Sequence, residues 1–182
     1  MTTSVIDLIL LGQVIRKPLG AYDLAHLLHK HNLSDMVRIS KPAIYSNIRK
    51  LLERGYLEGR ITKTRRRPEK RVCYPTEKGR ARFQELMAHF AAQPVRYHFD
   101  FNALIISVSQ LPREAGEPLL EQLRTGLEEQ RRLLKERLKA PEEISFAGQS
   151  VIRQQYLLNE ALLKWFKEFR GEHRARMRTS NQ

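Results

Sequence analysis

From Ser40 to Thr76 the chain reads SKPAIYSNIRKLLERGYLEGRITKTRRRPEKRVCYPT, and its apolar spacing changes from that of a helix to that of strands around a dense basic run. Ser40 suits a helix N-cap and Pro42 is tolerated in the first turn. Ile44, Ile48, Leu51 and Leu52 then recur at helical spacing until Gly55. Tyr56 to Lys63 and Arg71 to Tyr74 read as two short strands around TRRRPEK, with Pro68 in the loop. A helix and a two-stranded hairpin cannot bury their apolar faces alone, so this pattern requires helices in front of it. Residues 4–15 supply one, with Val5, Leu8, Ile9, Gly12 and Ile15 at helical spacing before Pro18 and Gly20 break it. Ala21, Leu24, Ala25, Leu27 and Leu28 supply a second, running to about His31 and ended by HNLSD. Three helices and a hairpin make a winged helix-turn-helix. After Thr76 a fourth helix carries Phe83, Leu86, Met87 and Phe90 and closes at Pro94.

The remainder reads as helix throughout, which gives a mainly α chain with one small β-hairpin. Phe101, Leu104, Ile105, Val108 and Leu111 form one stripe, and a long charged helix over 114–138 carries another. The last helix, about 148–170, places Val151, Gln155, Leu158, Leu162, Trp165 and Phe169 at alternating spacings of four and three, the seam of a helix packed lengthwise on another. Ile152, Leu163 and Phe166 widen that seam, which calls for more than one partner helix. The expected organisation is a winged unit over 1–92, a helical dimerisation unit over 93–172, and a frayed basic tail over 173–182. The interface is assigned to Leu120, Leu123, Leu127, Leu134, Val151, Leu158, Leu162, Trp165 and Phe169. A two-fold DNA site read by two helices one turn apart requires such a pairing.

The net charge of +13 calls for a polyanionic partner, and its placement is more telling than its size. Residues 38–82 hold 15 basic and 4 acidic side chains, whereas residues 91–182 hold 15 and 12. The polyanion therefore belongs to the winged unit. The single cysteine, Cys73, excludes an internal disulfide framework and fits a reducing compartment. The N-terminal apolar stretch is too short for a membrane span and lacks a basic lead, so a cytoplasmic protein without membrane contact is expected.

On the helix that follows Ser40, the side opposite the apolar stripe is made by Pro42, Ala43, Ser46, Arg49 and Lys50, with Glu53 at its end, and Ser40 and Lys41 at the helix start are assigned to the DNA with them. Small residues at Ala43 and Ser46 permit close approach to base edges, while Arg49 and Lys50, further along, read or frame the groove and can clamp the flanking backbone. Tyr45 lies nearer the stripe, with a hydroxyl in reach of phosphate. Such charges are ordinarily only solvated, and so are basic runs such as Arg65, Arg66, Arg67, Lys70 and Arg71. Their place at a hairpin tip just beyond a recognition helix is what assigns them to phosphate or minor-groove contact.

Three segments together resemble the PadR family of bacterial transcriptional regulators, in particular its members with a longer all-helical C-terminal half. These are KPLGAYDL, KPAIYSNIRKLLERGYLEGR and KRVCYPTEKGRARF; LPREAGEPLLEQLRTGLEEQRRLL is similar to the start of their C-terminal region. The resemblance implies that Tyr22 and Tyr45 help to seat the winged unit on DNA, and that Tyr74, Thr76 and Gly79 mark the passage from wing to fourth helix. It further implies a homodimeric repressor of a palindromic duplex operator, released by a ligand or another signal. The chain departs from the family pattern at Gly20 and Ala21, where His-Gly is frequent, and at Ser46, where proline often stands.

Other residues invite sharper readings. His26 and His29 stand three apart, but no further ligand at a metal-site spacing accompanies them, so no metal is expected. Cys73 beside Arg71 has the neighbour a redox thiol needs, although a buried strand cysteine is the plainer reading. Tyr97, Phe99, Phe101, Trp165 and Phe166 offer an aromatic effector pocket, against the alternative of packed core or interface. No nucleophile elbow, phosphate loop or paired cysteine is present, so neither an enzyme nor a cofactor is expected. The competing function is an RNA-binding or adaptor protein built on a winged platform; aromatics for base stacking are not clustered on the strands, which argues against it.

Overall fold

A computed structural model describes residues 4–30, 40–64, 67–139 and 145–179, with backbone alone at 29, 30, 63, 64, 67–70, 178 and 179. The chain divides into two compact units, Met1–Val95 and Arg96–Gln182. The first contains α1 (Val5–Arg16), α2 (Ala21–Lys30), α3 (Lys41–Glu53), β1 (Leu57–Thr64), β2 (Arg67–Pro75) and α4 (Glu77–Ala91). The second contains α5 (Asn102–Ser107) with a following 3-10 turn, α6 (Arg113–Leu138) and α7 (Phe146–Thr179).

Helix α1 starts at Ser4, whose hydroxyl accepts from the Asp7 amide. Its buried face is Asp7, Leu10, Leu11 and Val14, rotated from the expected stripe, and Val5 is exposed. VIDLILLGQVI is apolar almost all round, so its periodicity selects no single face. The helix packs against α3, α4 and β2 at once, and Leu8 and Ile9 are partly buried as well. Gly12 allows the closest approach: a β-carbon there would come 3.1 Å from the Phe83 ring of α4. The core continues through Leu24 and Leu28, Ile44, Ile48 and Leu51, and Leu57, Cys73 and Leu86. At about 1.5–3 kcal/mol for each large side chain fully buried, this cluster is what holds α3 in place. Met87, expected on the apolar face of α4, is half exposed.

The wing is longer than its sequence reading. Strand β2 begins at Arg67, so Pro68 lies within the strand, and only residues 65 and 66 separate the two strands. The register runs from Leu57 opposite Pro75 to Thr62 opposite Lys70, and then slips before Thr64 pairs with Arg67. A two-stranded ribbon has only edges, so a proline at an irregularity costs little pairing. At its base, the Cys73 amide donates to the Leu19 carbonyl at 3.0 Å and ties the wing to the segment between α1 and α2.

In the second unit, α6 and α7 pack as an antiparallel hairpin. The buried column of α6 is Leu120, Leu127 and Leu134, seven residues apart. That of α7 is Ile152, Asn159 and Phe166, also seven apart, not the expected column of Val151, Leu158, Leu162, Trp165 and Phe169, which is exposed or half-buried. A polar Asn159 in the true seam hides it from a search for apolar periodicity. Leu120, Leu127 and Leu134, assigned to a subunit interface, are thus buried within their own unit. Helix α7 also continues to Thr179, through the stretch expected to fray. Arg174 explains the extension, since it reaches Glu117 of α6 at 2.8 Å. Arg170 bridges Glu117 at 2.9 Å and Glu121 at 2.6 Å beside it.

Candidate DNA interface

Helix α3 is fixed at both ends by groups its sequence provides. Ser40 Oγ accepts from the Ala43 amide, and Pro42 occupies the first turn without loss of a backbone bond. At the C-terminus Gly55 takes φ +70°, and the amides of Gly55 and Tyr56 close back on the carbonyls of Leu52 and Leu51. Burial of Ile44, Ile48 and Leu51 turns Lys41, Pro42, Arg49, Lys50 and Glu53 outward, as expected. Tyr45 is more open than its place near the stripe suggests, at 42 % exposure. Ser46 is half-exposed and Ala43 half-buried against the core, so Ala43 presents only part of its methyl outward. Asn47, one turn beyond Ala43, is partly buried, its side-chain amide donating to the Ala43 carbonyl at 2.8 Å. Arg49 lies 3.7 Å from Glu53, but both side chains are largely exposed, so this pair costs little to open.

A joint below α3 fixes the wing. The Thr76 hydroxyl donates to the Gly55 carbonyl at 2.7 Å and accepts from the Gly79 amide at 3.0 Å, which caps α4. Gly79 sits directly on the Tyr56 carbonyl, where any β-carbon would collide with backbone. Lys78 adds a donor to the Arg54 carbonyl at 2.9 Å and lies 5.1 Å from the centre of the Tyr56 ring. Thr76 and Gly79, singled out by resemblance, therefore act through the α3–wing–α4 junction.

Two cations flank the described part of the wing. Arg71 is exposed and folds across Gly59 on the neighbouring strand. Arg60, which the sequence reading passes over, lies on the other face, paired with Glu58 and 4.7 Å from the Tyr74 ring centre. Strand alternation from Leu57, which faces the core, is the signal that places it there. Ile61, opposite Arg71 in the register, stands 71 % exposed. Arg65 and Arg66 lie outside the described residues, as do the side chains of Arg67 and Lys70. Tyr22 projects from α2 at 72 % exposure and stacks on His26, with ring centres 6.4 Å apart. His31 and the His29 side chain lie outside the described residues.

Cys73 is almost fully buried, and burial pushes its thiol up against the opposing pull of Arg71. That environment disfavours the thiolate on which redox sensing depends. In the second unit, Phe99, Phe101, Trp165 and Phe169 form a continuous stack with ring centres 5.3 to 6.0 Å apart, which Phe166 and His173 extend. The rings pack on one another, and Tyr97 stands exposed. Among the described residues no helix is long and apolar enough to cross a membrane.

Comparison with known proteins bears on both units. Residues 26–92 match the family model described as a winged helix DNA-binding domain. No curated protein matches the sequence. Among solved structures, the chain is similar to Bacillus subtilis PadR in complex with operator DNA, with 18% identity and TM-score 0.73 over 92% of this chain and 97% of that one. The same protein in complex with p-coumaric acid aligns over 92% and 96%, with 17% identity and TM-score 0.73. The PadR-like transcriptional regulator BC1756 from Bacillus cereus aligns over 94% of this chain and 99% of its own, with 17% identity and TM-score 0.66. The Vibrio cholerae virulence activator AphA aligns over 93% and 98%, with 18% identity and TM-score 0.68. This chain therefore has the fold of the PadR regulators, a winged helix-turn-helix unit followed by a unit of long helices.

Proposed function

We propose that this protein is a sequence-specific DNA-binding transcriptional regulator, not an enzyme, that acts as a homodimeric repressor on a palindromic site and is released by a small molecule. The observation that carries this reading is the outward face of α3, where Ser46, Arg49 and Lys50 stand beside a basic wing in a segment that matches a DNA-binding domain model. In this reading α3 lies in the major groove, Ser46 and Arg49 meet base edges, and Lys41, Lys50, Tyr22 and Tyr45 seat the helix on phosphates. Arg71 and the basic run of the wing hold the neighbouring backbone or minor groove.

Pairing is supported by what the second unit leaves uncovered. Leu119 and Leu133 of α6 and Val151 of α7 are each 38 % exposed. Together with Leu123, Leu158 and Leu162 they form an apolar flank that a second copy would cover. The aromatic stack, with Tyr97, is the place assigned to a planar effector; the complex of B. subtilis PadR with p-coumaric acid supports an effector of this kind.

The deciding experiment is selection of bound fragments from genomic DNA, followed by competition at physiological salt. The selected duplex should outcompete random DNA and structured RNA by about a thousandfold or more. Equal binding to all three would reject the assignment in favour of an RNA-binding or adaptor protein.

A further inference from the structure

Glu58 is an acid in the most basic segment of the chain. Of the three other acids within residues 38–82, Glu53 pairs along α3 with Arg49, and Glu77 lies in the first turn of α4, where a negative charge suits the helix terminus. Glu58 stands on a strand, where an anion repels the phosphates that the wing is assigned to meet. Its ion pair with Arg60 adds little to stability, because the two side chains are 45 % and 64 % exposed.

Strand pairing shows what the pair does instead. Leu57 is buried in the core, so Glu58 and Arg60 share the opposite, open face of the ribbon. Tyr74 is opposite Glu58 in the register and diagonal to Arg60, within reach of a long side chain. Arg60 is accordingly held from two sides, by the Glu58 carboxylate and by the Tyr74 ring, whose centre lies 4.7 Å from the guanidinium carbon. The site is near the anchored base of the wing, one rung beyond Gly59 and Cys73, where the Cys73 amide donates to the Leu19 carbonyl. An arginine ordered in advance loses less freedom when it docks than a loose one.

Charge decides what such an arginine can read. Paired with a carboxylate, it neutralises little of a phosphate, but its remaining N–H groups keep their direction. Directed donors suit the thymine O2 and adenine N3 acceptors of the minor groove, and the guanine amino group excludes them. We propose that Glu58 and Tyr74 are positioning residues that aim Arg60 into the minor groove, where it reads A·T pairs beside the contact of α3. The inference rests on the DNA-binding reading, and it gives specificity to a wing otherwise assigned to affinity.

Filter binding to the selected duplex and to two altered versions tests it. In one, the A·T pairs flanking the helix contact become G·C; in the other they become inosine·C, which lacks the guanine amino group and so keeps the A·T minor-groove pattern. Wild type should bind the G·C version about tenfold or more weaker, and the inosine version as well as the original. Arg60→Ala and Arg60→Lys should bind all three alike, with a change in salt slope smaller than the roughly 0.9 of one lost phosphate contact. Glu58→Gln should lose the same discrimination yet bind random DNA more tightly and with a steeper slope, since Arg60 is then an uncompensated charge. A merely structural role would weaken binding to all DNA, and circular dichroism checks that the variants fold. If wild type prefers no duplex, the DNA-binding reading falls and this inference with it. If wild type prefers one, the inference alone is overturned by a flank without A·T pairs, by equal loss on the inosine version, or by full discrimination in Glu58→Gln.

Discussion

Gly79 has no room for a single added carbon, because the Tyr56 carbonyl occupies the place its β-carbon would take. Gly79→Ala must push α4 away from the end of α3, and overpacking against backbone costs about 1–3 kcal/mol. A urea denaturation curve should show the midpoint lowered with the slope unchanged; an unaltered midpoint would mean that the junction yields freely. Cys73 belongs to the same scale. Buried and pushed up, its thiol should react with an aromatic disulfide reagent only at the rate of local opening, and fast only in denaturant. Fast labelling of the folded protein would reverse that expectation. The caps at Ser40 and Thr76 are legible in the sequence because a hydroxyl before a helical stripe has one obvious use. The crowding at Gly79 is not, since it depends on a carbonyl 23 positions earlier that only the folded chain brings near.

At the scale of elements, α3 and the wing should fail differently. Arg49→Ala should cost about 1–3 kcal/mol on the selected site and little on random DNA. Arg71→Ala should weaken all duplexes alike and reduce the salt slope by about 0.9 for each phosphate it no longer neutralises. A filter-binding series across salt concentrations separates the two, and exchanged behaviours would reverse the roles. The hairpin of α6 and α7 makes its own predictions. Asn159 is buried with its carbonyl oxygen unpartnered among the described residues, so Asn159→Leu should raise the thermal midpoint, by the equivalent of about 1 kcal/mol. Hydrogen bonding from Arg174, against the cost of burial, holds the Glu117 carboxyl down to about 2 from its ordinary 4.5. A depressed acid stabilises the fold above its unfolded value and loses that contribution as the pH falls through its folded value. Thermal melts should therefore lose stability between about pH 4.5 and 2, and Glu117→Gln should flatten that limb. Helix existence is plain from the sequence, but helix rotation is not. In α1 apolar residues ring the whole helix, and in α7 the apolar column is the flank while the seam carries an asparagine. Continuation to Thr179 is equally hidden, because Arg174 reads as a charged tail until Glu117 is placed beside it.

For the whole molecule, light scattering at micromolar concentration should return twice the chain mass, and the thermal midpoint should rise with protein concentration. A monomeric mass with undiminished operator binding would dismiss the two-fold arrangement. Replacing Leu119 and Leu133 with serine should dissociate it while leaving each unit folded, since neither residue is in the buried column. The division into a basic unit and a nearly neutral one is readable from charge placement, whereas the pairing of Arg170 and Arg174 with Glu117 is not, because acid and bases come from opposite ends of the α6–α7 sequence. The hydroxyl of Thr76 and the bare α-carbon of Gly79 have a consequence for reading DNA. They leave no hinge between recognition helix and wing, so the winged unit works as a rigid gauge of fixed span. On the proposed DNA site, a base pair inserted between the helix contact and the wing contact should therefore abolish binding of that winged unit outright.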